Sequence, residues 1–426
     1  MHVLYSLGWL LVSPLVVVYL LWRSIRQPDY RRHWGERAGL HPRRTDRGPL
    51  IWLHAVSVGE TRAAQPLVRA LADAHPEARL LVTCMTPTGR RTAHELYGPM
   101  LGERFVQAYL PYDHPWAQRR FLRAWRPAFG VLIETELWPA LLAQARRERV
   151  PVALVNARLS ERSLARGLRQ RRLVLPAARG LACVLAQSDA DAARIARLGR
   201  PADAVTGNLK FDTAPRAPML ALGRGWRARL GRPVVLCAST RDGEEALLRD
   251  AWRARGARTG GALLAIVPRH PQRFETVARE ALAAGWRVAR RAALEDAAFD
   301  GRDADLLLGD SMGELDAWYA LASCAVIGGS LLPFGSQNLI EGCAAGCPMI
   351  VGPSTFNFEE AAARAVEAGA ARRVADAAAA VEAALALLAA PDLAERMGRA
   401  GLAFAAEHRG ATERTLTGLA ELRARL

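Results

Sequence analysis

Little in this chain points to a metal centre, a disulfide framework or a nucleic-acid groove. Its six cysteines, Cys84, Cys183, Cys237, Cys324, Cys343 and Cys347, are scattered, mostly in apolar runs, and none forms a Cys-x-x-Cys pair. Cys343 and Cys347 are four apart, with no histidine near them. Buried free thiols in a reducing compartment are expected, and no metal site. Walker A and Gly-x-Gly-x-x-Gly patterns are both missing, so kinase and dehydrogenase readings lose support. Acidic residues are outnumbered 42 to 58, a formal net charge of +16. That excess calls for an anionic partner, either nucleic acid or a membrane surface. A nucleic-acid surface would interleave aromatics with its basic residues. Aromatics are only 7% here, many in strands or at the amino terminus, so nucleic acid is the weaker candidate.

Residues 3–22 carry no charge. A run of about 20 such residues is long enough to span a bilayer as a helix. A cleaved signal peptide would need a basic leader and a small-residue cleavage site; the leader here is Met1-His2. Arg23, Arg26, Arg31, Arg32 and Arg37 follow the run, which places the bulk of the chain in the cytoplasm. Trp9, Tyr19 and Trp22 suit interfacial anchoring, and Pro14 allows a kinked or shallow insertion. Residues 1–22 are thus expected to form a membrane anchor helix, either single-pass or monotopic.

Residues 41–49 read as a linker, and after it strands and helices alternate. Strands are expected at 50–56, 78–84, 104–110, 128–134, 151–156, 181–187 and 203–206. Helical patterns at 61–74, 89–97, 115–125, 138–148, 160–176 and 189–198 lie between them. Residues 212–231, with Pro215, Pro218 and three glycines, look like a domain boundary. The alternation then restarts, with strands at 233–238, 262–267, 285–290, 305–308, 324–328 and 348–351, and a helical tail covers 377–426. This predicts an α/β protein of two parallel-sheet domains, 23–215 and 216–426. Its site is expected in a cleft where the carboxyl edges of the two sheets face each other.

Polar residues gather at the expected strand ends. In the first half these are Glu60 after Ser57-Val58-Gly59, Thr86-Pro87-Thr88-Gly89, Glu134-Thr135-Glu136-Leu137-Trp138-Pro139, Asn156-Ala157-Arg158-Leu159-Ser160 and Gly207-Asn208-Leu209-Lys210-Phe211-Asp212. Each alone fits capping or turn chemistry, and position alone makes Glu60 a helix N-terminal charge. Their coincidence on one edge points to a site. In the second half Pro268-Arg269-His270, Gly309-Asp310-Ser311-Met312-Gly313-Glu314, Gly328-Gly329-Ser330 and Ser336-Gln337-Asn338-Leu339-Ile340-Glu341 repeat the theme. Gly/Ser turns at helix starts with an arginine and a carboxylate suit a nucleotide. Asp189-Ala190-Asp191 and Asp303-Ala304-Asp305 match a metal-binding Asp-x-Asp only formally.

At these motifs the chain resembles the family of 3-deoxy-D-manno-octulosonic acid (Kdo) transferases. The resemblance spans nearly the whole chain. It includes Tyr30-Arg31-Arg32-His33-Trp34-Gly35-Glu36-Arg37, His54-Ala55-Val56-Ser57-Val58-Gly59-Glu60, Leu209-Lys210-Phe211-Asp212, Val267-Pro268-Arg269-His270 and Gly352-Pro353-Ser354-Thr355-Phe356-Asn357-Phe358. It implies a GT-B glycosyltransferase fold, two Rossmann-like domains with the acceptor held by the first and CMP-Kdo by the second. The implied reaction is inverting Kdo transfer to the lipid A precursor at the inner membrane. Glu60 is then the base, and Glu134 and Lys210 stabilise the transition state. Pro268, Arg269, Met312, Gly313, Glu314, Asn338, Leu339, Ile340 and Glu341 fall in the CMP-binding motifs. One departure stands out: Gln337 occupies a position where many members have histidine.

The chemistry fits these residue types. CMP is a good leaving group, whereas the acceptor is an unactivated hydroxyl that benefits from one carboxylate base. Breaking the ketosidic bond leaves oxocarbenium character on the sugar and extra charge on phosphate, which Lys210 and Arg269 would balance. With one phosphate to neutralise, no metal or other cofactor is expected. A GT-B transferase using a UDP-sugar donor is the nearest alternative.

Overall fold

Val-, Ile- and Leu-rich runs become two parallel sheets covered by helices on both faces, which is why the central strands alternate so little between apolar and polar. The computed structural model describes residues 2–212, 215–294, 301 and 303–425. The chain divides into two units, Met1–Asp212 with Arg409–Leu426, and Thr213–His408.

The first sheet contains β1 (Leu50–His54), β2 (Arg79–Cys84), β3 (Phe105–Tyr109), β4 (Phe129–Ile133), β5 (Val152–Ala157), β6 (Cys183–Ala186) and β7 (Ala204–Val205). Its order is β3-β2-β1-β4-β5-β6-β7, all pairs parallel. Every residue of β1 and β4 is buried. Trp52, Phe121, Leu132 and Leu141 pack on one face, and Leu53, Leu67, Val131 and Leu185 on the other. Gly130 makes room for Trp52, since a Cβ there would lie 2.5 Å from the indole. The strand order reverses between β1 and β4, and ligands of such sheets bind outside the carboxyl ends at that point.

The second sheet contains β8 (Val234–Thr240), β9 (Leu263–Pro268), β10 (Val288–Arg290), β11 (Leu306–Leu308), β12 (Cys324–Ile327), β13 (Met349–Val351) and β14 (Ala371–Arg373). The order is β10-β11-β9-β8-β12-β13-β14, again parallel, and reverses between β8 and β12. Both units are therefore parallel α/β layers with one central reversal of strand order.

Four expectations change. Residues 213–214 of the expected boundary lie outside the described residues, and within that stretch Ala217–Leu230 is a 14-residue helix that was not anticipated. Gly223 in it is a packing residue: a Cβ there would sit 2.0 Å from the Ala317 carbonyl oxygen. Trp226 is buried edge-on against Trp318, ring centroids 5.6 Å apart. β14 was not anticipated, because Ala371-Arg372-Arg373 is too short and too charged to show a strand pattern. The helical tail is shared between units: Ala377–Ala389 and Pro391–Glu407 belong to the second, while Ala411–Gly418 and Ala420–Arg423 belong to the first. Asp212 causes that return, accepting from Gly410 N at 2.7 Å and Ala411 N at 3.3 Å, and from Thr412 N. Finally, 160–176 is two helices, Glu161–Arg169 and Arg171–Arg179.

The amino-terminal run is a helix, His2–Arg26, with Pro14 inside it. Leu11, Leu15, Val18, Trp22 and Ile25 are exposed and follow one another at spacings of three and four, so they form one apolar stripe. Leu20 and Ser24 are buried. Tyr5 Oη donates to Asp113 at 2.7 Å, and Trp9 packs on Tyr112. Among the described residues no single helix is long and apolar enough to cross a membrane.

Candidate functional site

In the first unit the loops after β1 and β4 meet at the reversal of strand order. Ser57 caps the helix Val58–Ala63, its hydroxyl accepting from Glu60 N. Glu60 reaches back: Oε2 accepts from Val56 N at 2.6 Å and Oε1 from Ser57 Oγ at 3.1 Å. This reciprocal capping fixes the carboxyl at the sheet edge. Burial pushes it up to about 7, and Glu134 and Glu136 add to the rise, against the Val56 N–H and Ser57 hydroxyl. A carboxylate has about four lone-pair sites, so these two bonds leave acceptor capacity for a substrate hydroxyl.

Glu134 follows β4 with φ +67° and pairs with Lys210 Nζ at 3.1 Å. Glu136 accepts from Trp138 Nε1, and burial raises its carboxyl too. Lys210 lies on the short turn Leu209–Asp212. Buried Asn156, at the end of β5 with φ +52°, holds that turn by accepting from Leu209 N at 3.0 Å. Asp212, two residues on, is the residue that binds the returning carboxyl-terminal segment. The structure thus brings together Glu60, Glu134, Glu136 and Lys210 from three strand-end segments. It also isolates a signal passed over in the sequence: Lys210 is the only lysine in 426 residues. Everywhere else this chain uses arginine; here it keeps a compact, rotatable ammonium.

The other first-unit motifs support rather than join this cluster. Thr86 caps Pro87–Leu101 by accepting from Gly89 N at 3.0 Å. His54 is fully buried, its Nδ1 2.9 Å from Thr83 Oγ1 and its ring edge-on to Trp138. Burial lowers its pKa to about 3, so it stays neutral. Glu36 joins three elements, pairing with Arg90 at 2.6 Å and accepting from Tyr109 N at 2.7 Å. Asp191 is occupied by Leu159 N, Ser188 and Arg194, in keeping with the reading of its Asp-x-Asp as chance.

In the second unit Arg269 follows β9, its N–H donating to Thr240 O at 3.0 Å. Its Nε donates to Gln337 Oε1 at 3.1 Å. Gln337 N in turn donates to Gly328 O at 2.9 Å, which fastens the Ser336-Gln337 turn to the end of β12. Asn338 donates to Glu341 at 3.1 Å and accepts from Ile340 N. Leu339 and Ile340 are buried, so their side chains serve the core and leave only backbone for a ligand. Pro268 ends β9, Met312 is exposed, and Gly313 has φ +79°. Glu314 is taken by Arg291, with Nη2 to Oε1 at 2.8 Å and Nε to Oε2 at 3.0 Å.

The loop after β8, Arg241-Asp242-Gly243-Glu244-Glu245, was not singled out in the sequence, yet it organises this edge. Glu244 and Glu245 are fully buried. Glu244 accepts from Arg241 N at 2.9 Å, Gly329 N at 2.6 Å and Leu331 N at 3.0 Å, binding the β8 and β12 loops to each other. Glu245 accepts from Thr240 Oγ1 at 3.0 Å and pairs with Arg273 at 3.1 Å. Two adjacent glutamates opening a helix read as ordinary first-turn charges, which hid them. Burial, then the nearby Arg241, Arg269 and Arg273, lowers the pKa of His270.

A family model described as 3-deoxy-D-manno-octulosonic-acid transferase (kdotransferase) matches residues 32–213. The 3-deoxy-D-manno-octulosonic acid transferase of Bordetella pertussis is 45% identical over 97% of this chain and 98% of its own length. The protein of the same name from Haemophilus influenzae is 34% identical over 96% and 95%. Among solved structures, the UDP-GlcNAc 2-epimerase of Neisseria meningitidis aligns with a TM-score of 0.57 over 88% of this chain and all of that one, at 13% identity. That likeness concerns the fold alone.

Proposed function

Because the chain belongs to the family of Kdo transferases, which are glycosyltransferases of lipopolysaccharide biosynthesis, we propose that it moves Kdo from CMP-Kdo to a lipid A precursor, with inversion and with Glu60 as general base. The observation that carries the assignment of the base is the Glu60 carboxyl, raised to about 7 and fixed beside the Glu134–Lys210 pair. A base of that strength is half ionised near neutral pH, where proton abstraction from a hydroxyl is most effective. The first unit takes the acceptor. There Glu60 accepts the proton of the attacking hydroxyl, and Lys210, held by Glu134, supplies positive charge as the bond to phosphate breaks.

The second unit takes the donor. Arg269, oriented by Gln337, faces the single phosphate, and Asn338 and Glu341 offer polar atoms to the nucleoside. Gln337 keeps the hydrogen-bonding role of the histidine found in many members but cannot become charged. Without a titrating group there, the acid side of the pH profile is left to Glu60.

The exposed stripe Leu11, Leu15, Val18, Trp22 and Ile25 anchors the chain at the inner membrane surface. Lying in the interface suits a helix with a large apolar face flanked by arginines. Deleting residues 2–25 is expected to release the chain from anionic vesicles while sparing transfer to a detergent-dispersed acceptor; equal loss of both would make the helix a folding element.

Mass analysis of the product from CMP-Kdo and a tetra-acylated lipid A precursor tests the reaction. Glu60→Gln should lower kcat by about 1,000-fold with little change in donor KM. Wild-type turnover in that variant would remove Glu60 as base.

A further inference from the structure

Arg241 lies at the strand-order reversal of the second sheet, immediately after β8, and no role has yet been given to its side chain. Thr240 pairs in register with Pro268, so Arg241 and Arg269 follow the ends of neighbouring strands. Such strands are about 4.8 Å apart. The stem of Arg241 and the amide of Gln337 pack over the same glycine: a Cβ on Gly329 would lie 3.4 Å from Arg241 Cγ and 3.3 Å from Gln337 Nε2. The Arg241 guanidinium lies 4.7 Å from the centre of the Phe334 ring. Its backbone is fixed by buried Glu244.

Arg273 and Arg241 on this edge differ in how they are neutralised. Arg273 is paired with Asp242 at 2.5 Å and Glu245 at 3.1 Å. Arg241 has no carboxylate within ion-pair distance among the described residues, and a ring face steadies it without cancelling its charge. Arg241 thus brings an uncancelled positive charge next to Arg269.

The donor assigned above carries two negative charges close together. Kdo is a 2-ulosonic acid, so its carboxylate is attached to the same carbon that bears the phosphoester. Two like charges held that close repel, and more strongly at a protein surface than in water. One cation relieves only part of this; two side by side match the pair. We propose that Arg241 and Arg269 form a two-arginine cradle for the donor, Arg269 taking the phosphate and Arg241 the sugar carboxylate. This rests on the CMP-Kdo reading and adds to it a discriminator: a CMP-linked or UDP-linked neutral sugar leaves Arg241 without its anion.

The test compares the KM of CMP-Kdo with the inhibition constant of CMP, which has the phosphate but no carboxylate. Arg241→Gln should raise the KM about 10-fold or more, as expected for losing a charge-assisted bond, and change CMP inhibition less than about twofold. Arg241→Lys should recover part of the donor affinity. Arg269→Gln should weaken CMP-Kdo and CMP together. If Arg241→Gln weakens both equally, or neither, while Arg269→Gln behaves as stated, the carboxylate assignment is overturned and the donor reading survives. If CMP fails to inhibit the wild type, the donor reading falls and the cradle with it. Thermal melting of each variant separates these outcomes from misfolding.

Discussion

The two sheets are both parallel with one central reversal of strand order, and the chemistry at that point is opposite in the two. In the first unit that edge gathers carboxyl groups, Glu60, Glu134 and Glu136, around a single ammonium. In the second it gathers guanidinium groups, and its glutamates, Glu244 and Glu245, are buried as acceptors for backbone and Arg273. The same kind of strand-order reversal thus gathers carboxyl groups in one unit and guanidinium groups in the other. Which side chains follow the strands decides the chemistry, and the fold decides only where they meet.

The comparison can be broken most sharply at Lys210. If its role were only to neutralise Glu134, arginine would serve, as it does throughout the chain. A guanidinium would instead pair with Glu134 as a planar fork and bring a bulkier, less adjustable charge. Lys210→Arg is therefore expected to lower kcat by about 100-fold while unfolding at the wild-type temperature. Near-normal kcat would reduce Lys210 to a structural counter-ion.

The strands were legible in the sequence because buried parallel strands write continuous apolar runs. Glu60 was legible as a helix-start charge, and the resemblance gave it a task; its raised pKa depends on burial and then on Glu134 and Glu136, which lie more than seventy residues away in the chain. The helix Ala217–Leu230 was hidden by its glycines, of which Gly223 serves a close contact with Ala317 that no local pattern announces. Arg241 and Glu244 were hidden for a related reason. An arginine among 58 basic residues attracts no notice until its neighbours across the strand ends are known. The return of residues 409–426 to the first unit is equally non-local, since it depends on Asp212 accepting from backbone about two hundred residues later.

Smaller in size, and most direct for Glu60 as base, is the pH dependence of kcat in the wild type and in Glu136→Gln. The reactive form of Glu60 is the carboxylate, so the rate should fall on the acid side with a midpoint near 7. Glu136→Gln removes one of the negative charges that raise it, so the midpoint should move down, toward the ordinary carboxyl value. A wild-type limb already at an ordinary carboxyl pKa, or one that Glu136→Gln leaves in place, would contradict the assignment.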